Sequence, residues 1–68
     1  MQAYQVTRTE QTDQGTVYVM SNGESVLRRG DGREECRNIH GRGFSSVGRF
    51  AHIAHAMRQA VRRYGVTA

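Results

Sequence analysis

Two glycine dipeptides, Asn22-Gly23 and Asp31-Gly32, constrain this chain more than any other feature in it. Asn-Gly between apolar-alternating segments is the strongest short-range signal for a two-residue type I′ hairpin, because both central residues of that turn need positive φ. Asp-Gly offers the same chemistry. Taken as two-residue turns, the dipeptides set the pairing of three strands. Met20 then faces Ser25, Val19 faces Val26, Tyr18 faces Leu27 and Val17 faces Arg28. Across the second turn Arg29 faces Glu34, Arg28 faces Glu35 and Leu27 faces Cys36. The two opposite-charge pairs in that register support it, each by about a few tenths of a kcal/mol.

The register predicts which side chains share a surface. Tyr18, Leu27 and Cys36 form one row, with Met20 on the same face, while Val17, Val19 and Val26 fall on the other. A sheet covered by one helix needs only one apolar face, so the second face is expected to meet a partner or a second copy of the chain.

The rest of the sequence completes a sheet-then-helix order. Alternation at 3–9 reads as a strand, with Tyr4 and Val6 on one side, and the polar run 10–15 as the first turn. Strands are expected near 3–9, 16–21, 24–29 and 34–39. Gly41-Arg42-Gly43 reads as a hinge into a helix over 46–64 that Ser45 or Ser46 caps. Its apolar stripe is Val47, Phe50, Ala54, Met57, Val61 and Tyr64, with His52, Gln59 and Arg63 opposite and His55, Arg49 and Arg62 at the flanks. Gly65 ends it, Val66 stands where a Schellman motif would bring it to Val61, and Arg62 and Arg63 sit at the negative end of the helix dipole. The expected fold class is α+β: an antiparallel sheet of three to four strands, β-β-β-β-α, packed by one C-terminal amphipathic helix. Residues 1–68 read as a single small domain, with sheet 3–39, hinge 40–45 and helix 46–64.

With 68 residues, a lone core supplies only about 3 to 5 kcal/mol of net stability. The single cysteine, Cys36, excludes an internal disulfide, which leaves metal or oligomerisation as added support. Cys36, His40, His52 and His55 are the right residue types for zinc, but their spacing matches no zinc motif, and in the register above Cys36 lies on the sheet while both helix histidines point away from the apolar stripe. Cys36 is therefore read as a small core residue, with no metal or cofactor expected. No catalytic arrangement stands out either. Asp31, Glu34 and Glu35 cluster at a tight turn opposite arginines, and Gly41 and Gly43 lack the lysine of a phosphate-binding loop. Nothing approaches the length of a membrane span or follows a signal-peptide pattern, so the expected compartment is the bacterial cytoplasm.

The remaining signal is arginine. Every basic residue is arginine, the formal charge is +4, and Arg28, Arg29, Arg33, Arg37 and Arg42 cluster on the second hairpin and its exit. The expected partner-binding surface is Val17, Val19, Val26, Arg28, Arg29, Asp31, Arg33, Arg37 and Arg42, with Arg49, His52, Arg62 and Arg63 as a secondary basic face. Arginine's planar fork suits carboxylates and phosphates. An arginine-bearing sheet backed by a helix could read a major groove through Arg–guanine contacts. In element order, and in the Phe44-Ser45-Ser46 step into the helix, the chain resembles the plant AP2 domain and the arm-binding domains of phage integrases.

A second resemblance is more particular. Val19, Asn22-Gly23, Arg29, Asp31, Arg42, Phe44 and Ser46 look like the hairpin, next strand and helix entry of a small phage-encoded anti-CRISPR protein of the type I-F class. Ile53, Ala56-Met57 and Arg62-Arg63 resemble the end of its last helix. The match spans most of the chain at low identity, with a segment missing between Phe44 and Ile53. The resemblance implies a four-stranded sheet with a helix that docks through the sheet on a backbone subunit of an RNA-guided surveillance complex, with an acidic contact at Asp31. That family presents tyrosines where this chain has Val6 and Met20. Three functions follow as expectations, all non-catalytic: a phage or mobile-element inhibitor docked on a host protein complex, a small basic DNA- or RNA-binding protein, or a dimeric interaction subunit.

Overall fold

The computed structural model describes residues 5–39, 43–46 and 48–66, and of Ser46 and Arg49 the backbone alone. Its elements are β1 (Val6–Thr12), β2 (Gly15–Met20), β3 (Ser25–Arg29), β4 (Glu34–Arg37), a two-residue β5 (Ser45–Ser46), a 3-10 turn (Gly48–Phe50) and α1 (Ala51–Tyr64). All neighbouring strands pair antiparallel in the order β1-β2-β3-β4-β5. The α+β class and the sheet-then-helix order are as expected, and the differences lie in register, in the bounds of β1 and the helix, and in a short fifth strand.

Both glycine turns carry one more residue than a type I′ hairpin. At the first, the Met20 N–H donates to Glu24 O at 2.8 Å and the Gly23 N–H donates to Met20 O at 3.0 Å, which makes a three-residue loop. At the second, the Arg29 N–H donates to Arg33 O at 2.8 Å and the Gly32 N–H to Arg29 O at 2.9 Å. Gly23 and Gly32 take φ of 94° and 92°, while no described non-glycine residue has positive φ. Asn22 and Asp31 therefore lack the conformation a type I′ turn demands. The result is a type I turn closed by a left-handed glycine bulge, the next commonest hairpin connection.

The extra residue moves each pairing by one position. Tyr18 faces Val26, Val17 faces Leu27 and Thr16 faces Arg28. Across the second turn Val26 faces Cys36, Leu27 faces Glu35 and Arg28 faces Glu34. A slip of one residue sends a strand's side chains to the opposite face. The two slips cancel between β2 and β4, so Tyr18 and Cys36 stay in one row, now through Val26, and β3 alone is inverted.

The hairpin between β1 and β2 also departs from expectation. β1 continues through the polar run to Thr12, and the turn is Asp13-Gln14, where the Thr12 hydroxyl accepts the N–H groups of Gln14 and Gly15. A break in register between Val6 and Arg8 marks a bulge at Thr7. It places Val6 on one face and Arg8 and Glu10 on the other. Ala3 and Tyr4 of the expected first strand lie outside the described residues. Gly15 packs where strands crowd: a Cβ there would lie 2.2 Å from the Arg28 carbonyl oxygen.

The helix covers the face bearing Val6, Met20, Val26 and Cys36, and its Ile53, Ala54, Met57 and Ala60 complete the core, with Tyr18, Phe50, Ala56 and Val61 at the margin. Burying Met20, Val26, Ile53 and Met57 stabilises the fold by about 1.5 to 3 kcal/mol each. The buried stripe is rotated from the expected one, since Ile53 enters and Tyr64 is 48% exposed. Val47 lies outside the described residues. Ser45 and Ser46 do not cap α1. They pair with Cys36 and Glu35 on the outer edge of β4, and the helix starts five residues later than expected, at Ala51, with no side-chain cap bond. At the far end the Gly65 N–H donates to Val61 O at 2.9 Å, one bond at a glycine of φ 67° in place of the expected Schellman pair. Val66 turns away to bridge Val6 in parallel.

Candidate functional site

Alternation along the strands builds the face that α1 leaves open from three rows. Arg8, Val19, Ser25 and Arg37 form one, Glu10, Val17, Leu27 and Glu35 the next, and Thr12, Gly15 and Arg29 the third. Val26, expected here, points into the core under the helix, and Leu27 takes its place. Inversion of β3 is the reason. The apolar centre is also largely covered, because Val17 is 7% and Leu27 1% exposed. Only Val19 remains half-buried. The expected apolar docking patch of Val17, Val19 and Val26 is thus not assembled as a surface.

The hairpin arginines are drawn into ion pairs. Arg28 and Arg29 occupy opposite faces, as neighbours on a strand must. Arg28 donates to Glu34 at 2.9 Å and lies over the Tyr18 ring, whose centroid is 5.2 Å away. Arg29 meets Glu35 at 3.0 Å, and Arg33 meets Asp31 at 2.9 Å. Arg8 pairs with Glu10 at 2.9 Å. The Asp31 carboxyl accepts the Arg33 N–H and, held by it, stays below the usual carboxylate range. Arg58 of α1, which carried no role in the sequence reading, joins Arg28 on Glu34 and ties the helix to β4. Glu34 is 12% exposed, so one nearly buried carboxylate holds two guanidinium groups.

The cations left without a carboxylate, among the described residues, lie elsewhere. Arg37 is one. Its Nε donates to the buried Ser25 hydroxyl at 3.2 Å, and its guanidinium lies over the Phe44 ring, 4.8 Å from the centroid. Arg62 and Arg63, with His52 and His55, stand exposed on the outer face of α1. Arg42 lies outside the described residues, as does the side chain of Arg49.

A signal in the sequence accounts for this segregation. All six acidic residues fall at or before Glu35, together with four arginines, while the chain from Cys36 onward carries six arginines, three histidines and no acid. Clustering arginines without their nearest acids hides that asymmetry.

A cavity of ≈ 420 Å³ opens inside the acid-free half. Its walls are the end of β4 at Cys36, Arg37 and Asn38, the Phe44-Ser45 approach to β5, and Phe50 ahead of α1. Cys36 is fully buried, and burial pushes its thiol pKa up, so it is a poor nucleophile at neutral pH. Among the described residues no group of three His, Cys, Asp or Glu side chains comes together to hold a metal, and no helix is long and apolar enough to cross a membrane. His40 lies outside the described residues. Comparison with protein-family models, with curated proteins and with solved structures gives no match.

Proposed function

We propose that the chain is a non-catalytic module that binds nucleic acid through its acid-free half, using the outer face of α1 and the corner where β4 meets the helix. One observation carries this reading. The β-hairpin arginines are neutralised in place by Glu34, Glu35, Asp31 and Glu10, whereas Arg37, Arg62 and Arg63 meet no carboxylate among the described residues. Cations already paired offer little to an incoming phosphate, while unpaired ones release counterions when it binds. The expected route, arginines of the sheet entering a groove, has less support, because on the open face Glu10 and Glu35 pair with Arg8 and Arg29, which leaves Arg37, at the end of β4, without a carboxylate among the described residues.

Fluorescence anisotropy with labelled single-stranded and duplex oligonucleotides at two salt concentrations tests the reading. Affinity should fall with salt by about 0.7 log unit per log unit for each single-strand phosphate neutralised. No binding to either form at low salt removes the proposal.

The inhibitor reading, a steric block docked on a host complex such as a CRISPR surveillance complex, is supported by the sheet face that α1 leaves open. It predicts capture of that complex that persists at high salt and is lost in Val19→Asp. A dimer through the same face would instead appear as concentration-dependent sedimentation.

A further inference from the structure

Resting on the nucleic-acid reading, we infer that the cavity beside Arg37 takes one unstacked nucleotide of a single strand. Arg37 grips the phosphate, and the rings of Phe44 and Phe50 form the wall against which the base lies. Three features occur together in Arg37 and in no other described arginine. It is half-buried with no carboxylate partner among the described residues, its Nε is committed to Ser25 Oγ at 3.2 Å, and its Cζ lies over the Phe44 ring, 4.8 Å from the centroid. Ser25 is 1% exposed and sits within the sheet, so the acceptor that orients the guanidinium is itself fixed. With Nε held from behind, the two terminal nitrogens form a fork of donors matched to two oxygens of one phosphate. Preorganisation of this kind lowers the ordering cost of binding.

The walls select what accompanies the phosphate. At ≈ 420 Å³ the cavity is within the size range of small-ligand pockets, and two of its lining side chains are aromatic. Any base has a π-face that an aromatic ring can stack on, so the site tolerates sequence but demands an unpaired base. A base stacked in a duplex cannot enter. The segment that builds the cavity carries no acid, and Glu35, two residues before Arg37 on the same sheet face, is already paired with Arg29.

The test uses the whole protein, a labelled octanucleotide and a blunt duplex of the same sequence, with circular dichroism to confirm folding of each variant. Arg37→Lys keeps the charge and loses the fork, and Phe44→Leu keeps an apolar side chain and loses the ring. Each should weaken single-strand binding about tenfold, the loss expected for one base contact, and duplex binding far less, since Arg37→Lys keeps its charge and a duplex has no unstacked base to lose. Adenosine 5′-monophosphate added to the wild-type protein should shift the amide resonances of Asn38, Phe44 and Ser45, a readout independent of any variant. Inorganic phosphate should not reproduce those shifts in full. The inference is overturned if both variants bind the octanucleotide as the wild type does, if the duplex binds as tightly as the single strand, or if the nucleotide moves none of those resonances. In such a case a loss of affinity in Arg62→Gln/Arg63→Gln leaves the broader reading standing without the cavity. Absence of any binding in the wild type removes both.

Discussion

The arginines of the β-meander and those that follow Glu35 carry the same charge and have different environments. Arg8, Arg28, Arg29 and Arg33 each meet a carboxylate supplied by a strand or turn neighbour. Of the described arginines after Glu35, Arg58 alone finds one, by reaching from α1 to Glu34 on β4. The difference teaches that a basic cluster in a sequence is not yet a basic surface. Surface ion pairs of this kind are worth roughly 0 to 1 kcal/mol each. They cancel much of the local field that a polyanion would sense.

Predictions that break or sharpen this contrast run from large to small. Met57→Ala, at a fully buried position shared by both halves, should cost about 2 to 5 kcal/mol. In a chain of this size that is comparable with the whole stability, so thermal melting by circular dichroism should show little cooperative transition. A variant that melts like the wild type would mean that the helix is not what closes the core.

Glu34→Gln strikes the one carboxylate on which the two halves meet. It strands Arg28 and Arg58, and urea denaturation should show a loss of about 1 to 3 kcal/mol, the cost of leaving partly buried charges without their partner. An unchanged midpoint would reduce the Glu34 pairs to ordinary surface contacts.

Arg62→Gln/Arg63→Gln should leave stability within about 0.5 kcal/mol of wild type. The same change should lower the salt slope of single-strand binding by up to about 1.4. Arg29→Gln/Arg33→Gln removes the same charge from the paired region and should lower the slope far less. Equal losses from the two double variants would erase the distinction between the regions.

The smallest effect belongs to Asp31. Its carboxyl is depressed mainly by the Arg33 N–H, so whatever it contributes is present above the unfolded carboxylate pKa and disappears as pH falls through the lower folded value. Because Asp31 is exposed, Asp31→Asn should alter melting only slightly at neutral pH, and the difference should vanish in acid. A difference that grew as pH fell would reverse the sign of the assignment.

The fold was legible in the sequence where one strong signal sufficed. Asn22-Gly23 and Asp31-Gly32 do mark the two reversals, and the helical spacing around Ala54, Met57 and Val61 does mark α1. Register was less legible. Charge pairing is satisfied under either of two registers: in the expected one Arg29 and Arg28 face Glu34 and Glu35, and in the observed one Arg28 faces Glu34 while Arg29 reaches Glu35 diagonally. The apparent support therefore could not discriminate between them. The hairpin glycines favour a type I′ turn and a bulged three-residue turn alike, and only the φ of Asn22 and Asp31 separates the two. That ambiguity moved Val26 into the core and brought Leu27 to the open face. The candidate site was less visible still. Arg37 was noticed as one of a cluster, whereas its isolation from carboxylates, its hold on Ser25 and its stack on Phe44 join residues far apart in the chain.

From the amino-acid order alone came the four main strands and the helix in their order, the reversals at Asn22-Gly23 and Asp31-Gly32, and the absence of acid beyond Glu35, because each of these is a property of neighbours in sequence. Tertiary structure decided which face β3 presents, that Ser45 and Ser46 extend the sheet and do not cap the helix, and which arginines are already paired. Those outcomes turn on hydrogen bonds and ion pairs closed between distant residues, where one position of register decides which side of the sheet a side chain occupies.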